Sequence, residues 1–561
     1  MVGTSYDATM ALFGAVCAFG GALAYAAWSG ALDLYRSDVE TRQRWSSSDE
    51  FSPRQRRLIA RQKSMSASND ALSKLLGSSS AAEKGVSRSS FLSTVDQGVI
   101  FGAQNKIVVA MVGLPARGKS YIVKMMVRYL EWIGIPTKIF NVGDMRRKCG
   151  LAGASAAFFR TGDESARRQR EELAMACQEE MYRWLDAQPS SCVAIFDATN
   201  TTRARREILM QRCRTATLIF VESICNDREI LERNYRMKLQ NADYRGRDPE
   251  EALRDFLERV SEYEKRYETI EDDEGDGSVS YIKIIDVGEK MVARKCSGYL
   301  TSQISFFLGN IHITPRKIWL ALHAETLEET RCGVRGITAG GGLTEYGSRF
   351  AVELARFVRA EHAAFQQQQA LDHQGGGGLL VLTGNAQSHR ETIAPLVSDD
   401  VDVLATSLLN ELCGGDFDGI SVEELEARYP GVWKARNADK LRFRYPGAGG
   451  ESYVDLITRL RPILIELERQ RRNVLLVSHL AVQRCLYAYF VGTPAAEIPY
   501  IKLPHGAVVE INPAPHGAIA ATHLLVDKPR HARSMQHCVS SVGDLVHKFA
   551  EVPPSADGFV R

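Results

Sequence analysis

One stretch of this chain restricts its fold more than any other. An apolar run of strand length, residues 107–112, leads directly into Gly113-Leu114-Pro115-Ala116-Arg117-Gly118-Lys119-Ser120, and residues 121–133 then repeat apolar side chains at helical spacing. This is G-x-x-x-x-G-K-S in the strand-loop-helix setting that gives the motif meaning. Glycines at these positions let main-chain N–H groups close around phosphate oxygens at a helix N-terminus. Lys119 is placed to neutralise the terminal phosphates of a nucleotide, and the Ser120 hydroxyl is suited to magnesium. Such a loop needs a buried, largely parallel sheet behind it, so an α/β domain is expected.

A second apolar strand, residues 192–196, ends in Asp197. A lone strand-end Asp is usually a helix cap, but beside a phosphate-binding loop it is the expected second magnesium ligand or a base. Basic residues gather just after strand-like segments: Arg146 and Arg147, Arg160, then Arg203, Arg205 and Arg206. Any one of these would ordinarily be a solvated surface arginine. Their common placement points to an anionic acceptor, because guanidinium pairs with phosphate in bidentate fashion.

Two later strands each end in histidine, residues 316–322 before His323 and residues 473–478 before His479, with Glu411 between them. Alone, each histidine reads as structural or merely exposed. Together they suggest phosphoryl transfer through a phosphohistidine, with one histidine as nucleophile, the other as electrostatic partner and Glu411 as general acid.

Composition sets the outer limits. The chain has 561 residues, 45% hydrophobic and 25% charged, which excludes wholesale disorder, collagen-like sequence and a polytopic membrane protein. A formal charge of +2, from 70 basic and 68 acidic residues, argues against a dedicated nucleic-acid binder. Eleven cysteines, odd in number and never in a C-x-x-C pair, favour free thiols over a disulfide framework or a zinc site.

The first hundred residues belong to neither chemical site. Residues 8–32 carry no charge, enough length to span a bilayer as a helix, and Arg54, Arg56, Arg57, Arg61 and Lys63 follow. By the positive-inside bias the expected arrangement is a single membrane anchor at residues 1–33 with the remainder facing the cytosol. A cleaved or interfacial segment and a buried apolar helix are the competing readings. Residues 34–100 read as a Ser- and Arg-rich disordered linker, a solvated tether or a phosphorylation-controlled lipid contact.

The segments GLPARGKS from Gly113, YLEWIGIPTKIFNVGDMRR from Tyr129, FDATNTTRARR from Phe196, VESIC from Val221 and SYIKIIDVG from Ser280 closely resemble the kinase half of the 6-phosphofructo-2-kinase/fructose-2,6-bisphosphatase family. NIHITPR from Asn310 resembles the family's junction, and LLNEL from Leu408, KLRFRYP from Lys440, ESYVDLITRL from Glu451 and SHLAVQRCLYAYF from Ser478 resemble its bisphosphatase half. The resemblance implies a phosphate-loop kinase domain over residues 101–305 and a histidine-phosphatase, phosphoglycerate-mutase-like α/β domain over residues 306–561. It implies transfer of the ATP γ-phosphoryl to the 2-hydroxyl of fructose 6-phosphate with magnesium, and a homodimer as one possible assembly.

Residue by residue, it places Gly113, Arg117, Gly118, Lys119, Ser120 and Asn234 on the nucleotide, and Ser120 and Asp197 on the metal. It places Lys238 at the transferring phosphoryl, and Arg146, Arg147, Arg160, Thr199, Arg205, Arg259 and Tyr263 around the sugar phosphate. In the second half it supports His323, Glu411 and His479 as catalytic residues, and Arg331 or Arg335, with Arg390 on the far side, are the candidates to replace in part the substrate contacts that the family pattern would supply. There the sequence departs from the family pattern. Leu322-His323-Ala324-Glu325 replaces Arg-His-Gly-Glu, Glu329 stands for Asn, and Leu480 stands for Gln. The loop at residues 333–342 differs, and Pro446-Gly447-Ala448-Gly449-Gly450 lacks the family's lysine. Leucine cannot hold a phosphoryl group and a carboxylate repels it, so an active kinase with a crippled or dead phosphatase is expected. A fully bifunctional enzyme and a non-catalytic, membrane-tethered nucleotide or sugar-phosphate sensor are the rival readings. The glutamine run at residues 366–369 and the glycine run at 375–378 are expected as a surface insertion before a strand at residues 379–382.

Overall fold

The computed structural model describes residues 106–527, except 152–157, 159–163, 242, 245, 333–341, 372–376 and 514–517. The expected anchor, the tether, Arg160 and the loop around Arg335 lie outside the described residues. Among the described residues no helix is long and apolar enough to cross a membrane.

Two six-stranded sheets organise the rest. The first runs β2-β3-β1-β4-β5-β6, comprising β1 (Lys106–Val112), β2 (Thr137–Asn141), β3 (Cys192–Asp197), β4 (Thr217–Ile224), β5 (Tyr281–Ile285) and β6 (Lys290–Arg294). Five strands are parallel and β6 is antiparallel to β5. Strands β1 and β3 are buried along nearly their whole length, as continuous apolar runs with helices on both faces should be. The phosphate-binding loop leaves β1 and opens the helix Lys119–Trp132, and β3 delivers Asp197 next to it through the register Ala110↔Phe196.

The second sheet runs β12-β11-β7-β10-β8-β9, comprising β7 (Ile318–Leu322), β8 (Leu379–Thr383), β9 (Val401–Ala405), β10 (Val474–Ser478), β11 (Ala507–Asn512) and β12 (Ile519–Leu524). Strands β7, β10, β8 and β9 are parallel, so their carboxyl ends share one edge. The register Ser478↔Leu322 brings His323 and His479 out side by side.

The glutamine run expected in a surface insertion, residues 366–369, lies in the helix Glu345–Leu371, whose unbranched polar side chains suit a solvent-facing helix end. The boundary expected at residue 305 falls inside the helix Tyr299–Leu308, whose Ile304, Phe307 and Leu308 are buried in a hydrophobic cluster shared by both halves.

Candidate functional site

The nucleotide loop is shaped by backbone that only certain residues accept. Gly113 has φ +133°, and a Cβ there would lie 2.5 Å from the Ser223 carbonyl oxygen of β4. Gly118 has φ +89° and caps the helix that follows. Neighbouring strands brace the loop: Gly113 N–H donates to the Thr199 carbonyl at 3.0 Å, Asn234 Nδ2 donates to the Ala116 carbonyl at 3.0 Å, and the Ser223 hydroxyl donates to the Arg117 carbonyl. Asn200, fully buried with φ +40°, donates to the Met111 carbonyl at 2.8 Å, while its Oδ1 has no partner among the described residues.

Lys119 is buried and folds back on the loop, donating to the Gly113 and Leu114 carbonyls at 2.9 and 2.6 Å. Burial brings its pKa down to about 7; Asp197 opposes that shift, and Lys238, Arg117 and Arg259 add to it. Burial pushes the Asp197 carboxyl above its ordinary range, against Lys119, Lys238 and a 2.6 Å hydrogen bond from Asn141 Nδ2. Burial likewise lowers Lys238, with Asp197 opposing. Three residues far apart in sequence thus share one electrostatic field at the carboxyl ends of β1 and β3. Ser120 is exposed at the same helix start.

A cationic cage stands beside it. Asp243 takes Arg146 at 2.5 Å, Arg147 at 3.5 Å and Arg259 at 3.9 Å, so one carboxylate gathers three guanidiniums. Arg205 is drawn below its ordinary basicity by burial, with Tyr263 as the main opposing group. Two members of the arginine cluster read from sequence do other work. Arg206 is fully buried and locked bidentately to Glu274 at 2.5 and 2.8 Å, and exposed Arg203 pairs with Asp273 at 2.9 Å. Arg117 reaches Glu264 at 3.0 Å and the Tyr235 hydroxyl at 3.2 Å. Asp243, Asn200, Asn141 and Ser223 escaped the sequence reading, since no motif marks a residue whose role is set by a partner across the fold.

At the second site the structure adds a histidine. His389, on the short helix Gln387–Ile393 after β8, packs its ring centroid 4.4 Å from that of His479, which lies 4.5 Å from that of His323. Burial first, then His323, brings His389 down to about 3, and His479 is pushed well below its ordinary value by burial, His323 and His389. His323 Nε2 lies 3.5 Å from the Glu329 carboxylate, which also accepts from Thr326 N–H at 3.0 Å. The Glu411 carboxylate accepts from the Leu412 N–H at 2.8 Å. Arg390, expected at the substrate, is exposed on the helix Gln387–Ile393. The helical period turns Ser388, His389 and Thr392 inward, and Thr392 Oγ1 accepts from Ala324 N–H at 2.8 Å. Burial thus favours the neutral form of His389 and His479, and the Glu329 carboxylate stands against His323 in the same cluster.

Fold and sites define a phosphate-loop kinase domain joined to a histidine-phosphatase-fold domain. The profile of the 6-phosphofructo-2-kinase family matches residues 97–315, and that of the histidine phosphatase superfamily, branch 1, matches residues 318–524. The chain is 39% identical over 414 residues to a 6-phosphofructo-2-kinase/fructose-2,6-bisphosphatase of Gallus gallus, covering 73% of this chain and 83% of that protein. It is 36% identical over 463 residues to a protein of Schizosaccharomyces pombe named probable 6-phosphofructo-2-kinase, covering 74% of this chain and 69% of that one. With 6-phosphofructo-2-kinase 1 of Saccharomyces cerevisiae it is 37% identical over 429 residues, covering 74% of this chain and 51% of the other. The chain belongs to the 6-phosphofructo-2-kinase/fructose-2,6-bisphosphatase family, and its first half is a 6-phosphofructo-2-kinase domain, an ATP-dependent sugar-phosphate kinase.

Proposed function

We propose that this chain makes fructose 2,6-bisphosphate by transferring the ATP γ-phosphoryl to the 2-hydroxyl of fructose 6-phosphate, and that its second half has lost most or all bisphosphatase turnover. The observation that carries the first part is the shared field of Lys119, Asp197 and Lys238 next to the arginine cage around Asp243. Two phosphate-bearing substrates need two cationic sites in contact, and this end of the sheet supplies both.

The sugar 2-hydroxyl attacks the γ-phosphorus as the bond to the β-phosphate oxygen breaks, ADP leaves, and the hydroxyl proton is released to solvent. Lys119 and Lys238 neutralise the charge that develops on the transferring group. Arg146, Arg147, Arg205, Arg259 and Tyr263 hold the sugar phosphate together with Thr199, which follows β3 in sequence. The Ser120 hydroxyl and the Asp197 carboxylate form an oxygen-only donor pair that fits a hard cation, so magnesium would be held there and would supply charge neutralisation at the phosphates.

The second part rests on Leu322 and Glu329. Leu322, 4% exposed, closes β7 immediately before His323, and Glu329 sets a carboxylate against the same imidazole. Losing one charge-stabilising contact typically costs on the order of 100- to 1000-fold in rate. The test is a two-way assay on the purified protein: ATP-dependent formation of fructose 2,6-bisphosphate, and phosphate release from that product. Comparable turnover in both directions overturns the second part; normal nucleotide binding without product overturns the first. We further propose attachment to a membrane through residues 8–32 with both domains in the cytosol, supported by the uncharged run and the basic residues behind it. Sedimentation of full-length protein with vesicles, set against a chain lacking residues 1–33, tests it.

A further inference from the structure

The helix that opens with Lys119 is held along its length by the second half of the chain. Near its start the Tyr121 hydroxyl donates to the His312 carbonyl at 2.9 Å, and at its end Trp132 Nε1 donates to the Cys485 carbonyl at 2.8 Å. Between them Arg128 Nη2 donates to Glu468 Oε1 at 2.8 Å, with its guanidinium 4.4 Å from the Tyr489 ring centroid. Glu468 sits on the helix Tyr453–Arg469, only 1% exposed. Its Oε1 also accepts from the Tyr489 hydroxyl at 2.7 Å, and its Oε2 lies 3.3 Å from Arg316 Nη2. One buried carboxylate therefore stands between two guanidiniums, one on the nucleotide-loop helix and one on the segment entering β7.

We propose that Glu468 is a positioning residue for the nucleotide site, acting through Arg128 to fix the helix that presents Gly118, Lys119 and Ser120. The second half then serves as a clamp on the kinase loop, a role independent of phosphatase chemistry. Taking the charge off Glu468 leaves two buried cations facing each other without compensation, and such a pair separates rather than stays. Arg128 lies nine residues beyond Lys119 on the same helix, roughly 13 Å along its axis, so a shift at Arg128 is carried to the loop by a rigid element. Arg146, Arg147 and Arg259 lie on other elements and gather on a carboxylate of their own, Asp243.

This predicts a split between the substrates, and its catalytic readout rests on the kinase reading above. In the full-length chain, Glu468→Gln should raise both KM for ATP and Kd for a non-hydrolysable ATP analogue at least about fivefold, the low end of ordinary coupling between linked sites. KM for fructose 6-phosphate should stay within about twofold, and Glu468→Asp should recover most of the loss because it keeps the charge. A fall in kcat or active fraction with both KM values unchanged would mean a merely structural role and overturns the proposal. If Glu468→Gln does not fold, Arg128→Lys, which keeps the charge but loses the planar fork, should weaken ATP binding in the same direction; unchanged binding overturns it. Wild-type protein that binds the analogue and shows this dependence, yet makes no product, supports the clamp and defeats only the kinase reading.

Discussion

Because burial brings Lys119 down to about 7, the loop of the free protein changes charge near neutral pH. The protonated, phosphate-binding form dominates below that value and is lost as pH rises through it. Since kcat/KM reports groups of the free enzyme, kcat/KM for ATP should fall about tenfold per pH unit above roughly 7 to 8. Lys119→Arg, which stays charged, should flatten that limb even if it lowers activity throughout; an unchanged slope assigns the titration elsewhere. At the second site the residues act as a pair. Leu322→Arg alone places a guanidinium beside the Glu329 carboxylate, which neutralises it, so phosphate release from fructose 2,6-bisphosphate should rise less than about tenfold. Combined with Glu329→Asn, the increase should be larger than the product of the two single effects. Lys119 was legible in the sequence because it opens a helix inside a phosphate-loop motif, and Asp197 and His323 because each stands at the carboxyl end of an apolar strand. Asp243, His389 and Glu468 were not, because their meaning lies in partners that only the tertiary fold supplies.

At the level of elements, the nucleotide loop depends on how closely β1 passes β4. Gly113→Ala meets both a φ of +133° and the Ser223 carbonyl 2.5 Å away, so the loop must move off β4. Kinase activity should fall by at least about 100-fold, with a stability loss of about 2–4 kcal/mol from strain and displaced packing. Gly134→Ala, at φ +84° with nothing within 4 Å of a Cβ, is the control. It should cost about 1–2 kcal/mol in thermal or denaturant unfolding and leave turnover unchanged. The periodicities that located β1, β3, β8 and β10 to within a residue or two worked because buried parallel strands read as uninterrupted apolar runs. The surface insertion expected at the glutamine run left its local structure open, because polar composition reports solvent exposure, which a helix end and a loop share.

The described part of the molecule is joined by a core that ignores the boundary between its two domains. Tyr129 stacks on Phe307 at 4.3 Å, and the cluster containing both continues through Leu456, Leu460, Val482 and Tyr489 of the second half. Acid should therefore act on both halves through groups that lie mostly in one. His389 and His479 are held neutral by burial, and His312 at the junction is lowered to about 4. Their folded values lie below the unfolded one of 6.5, so the unfolded chain binds more protons as pH falls. Stability is intact above that value and is lost below it, by about 1.4 kcal/mol per pH unit for each histidine held neutral. Between pH 7 and pH 5 the melting temperature should drop, and His389→Gln should reduce the slope of that drop. Because the nucleotide-loop helix shares this core, kinase activity and tryptophan fluorescence should disappear in one transition, although His389 and His479 belong to the phosphatase fold. Two transitions, with kinase activity outlasting the acid unfolding of the second half, would show that the shared apolar contacts do not couple the domains.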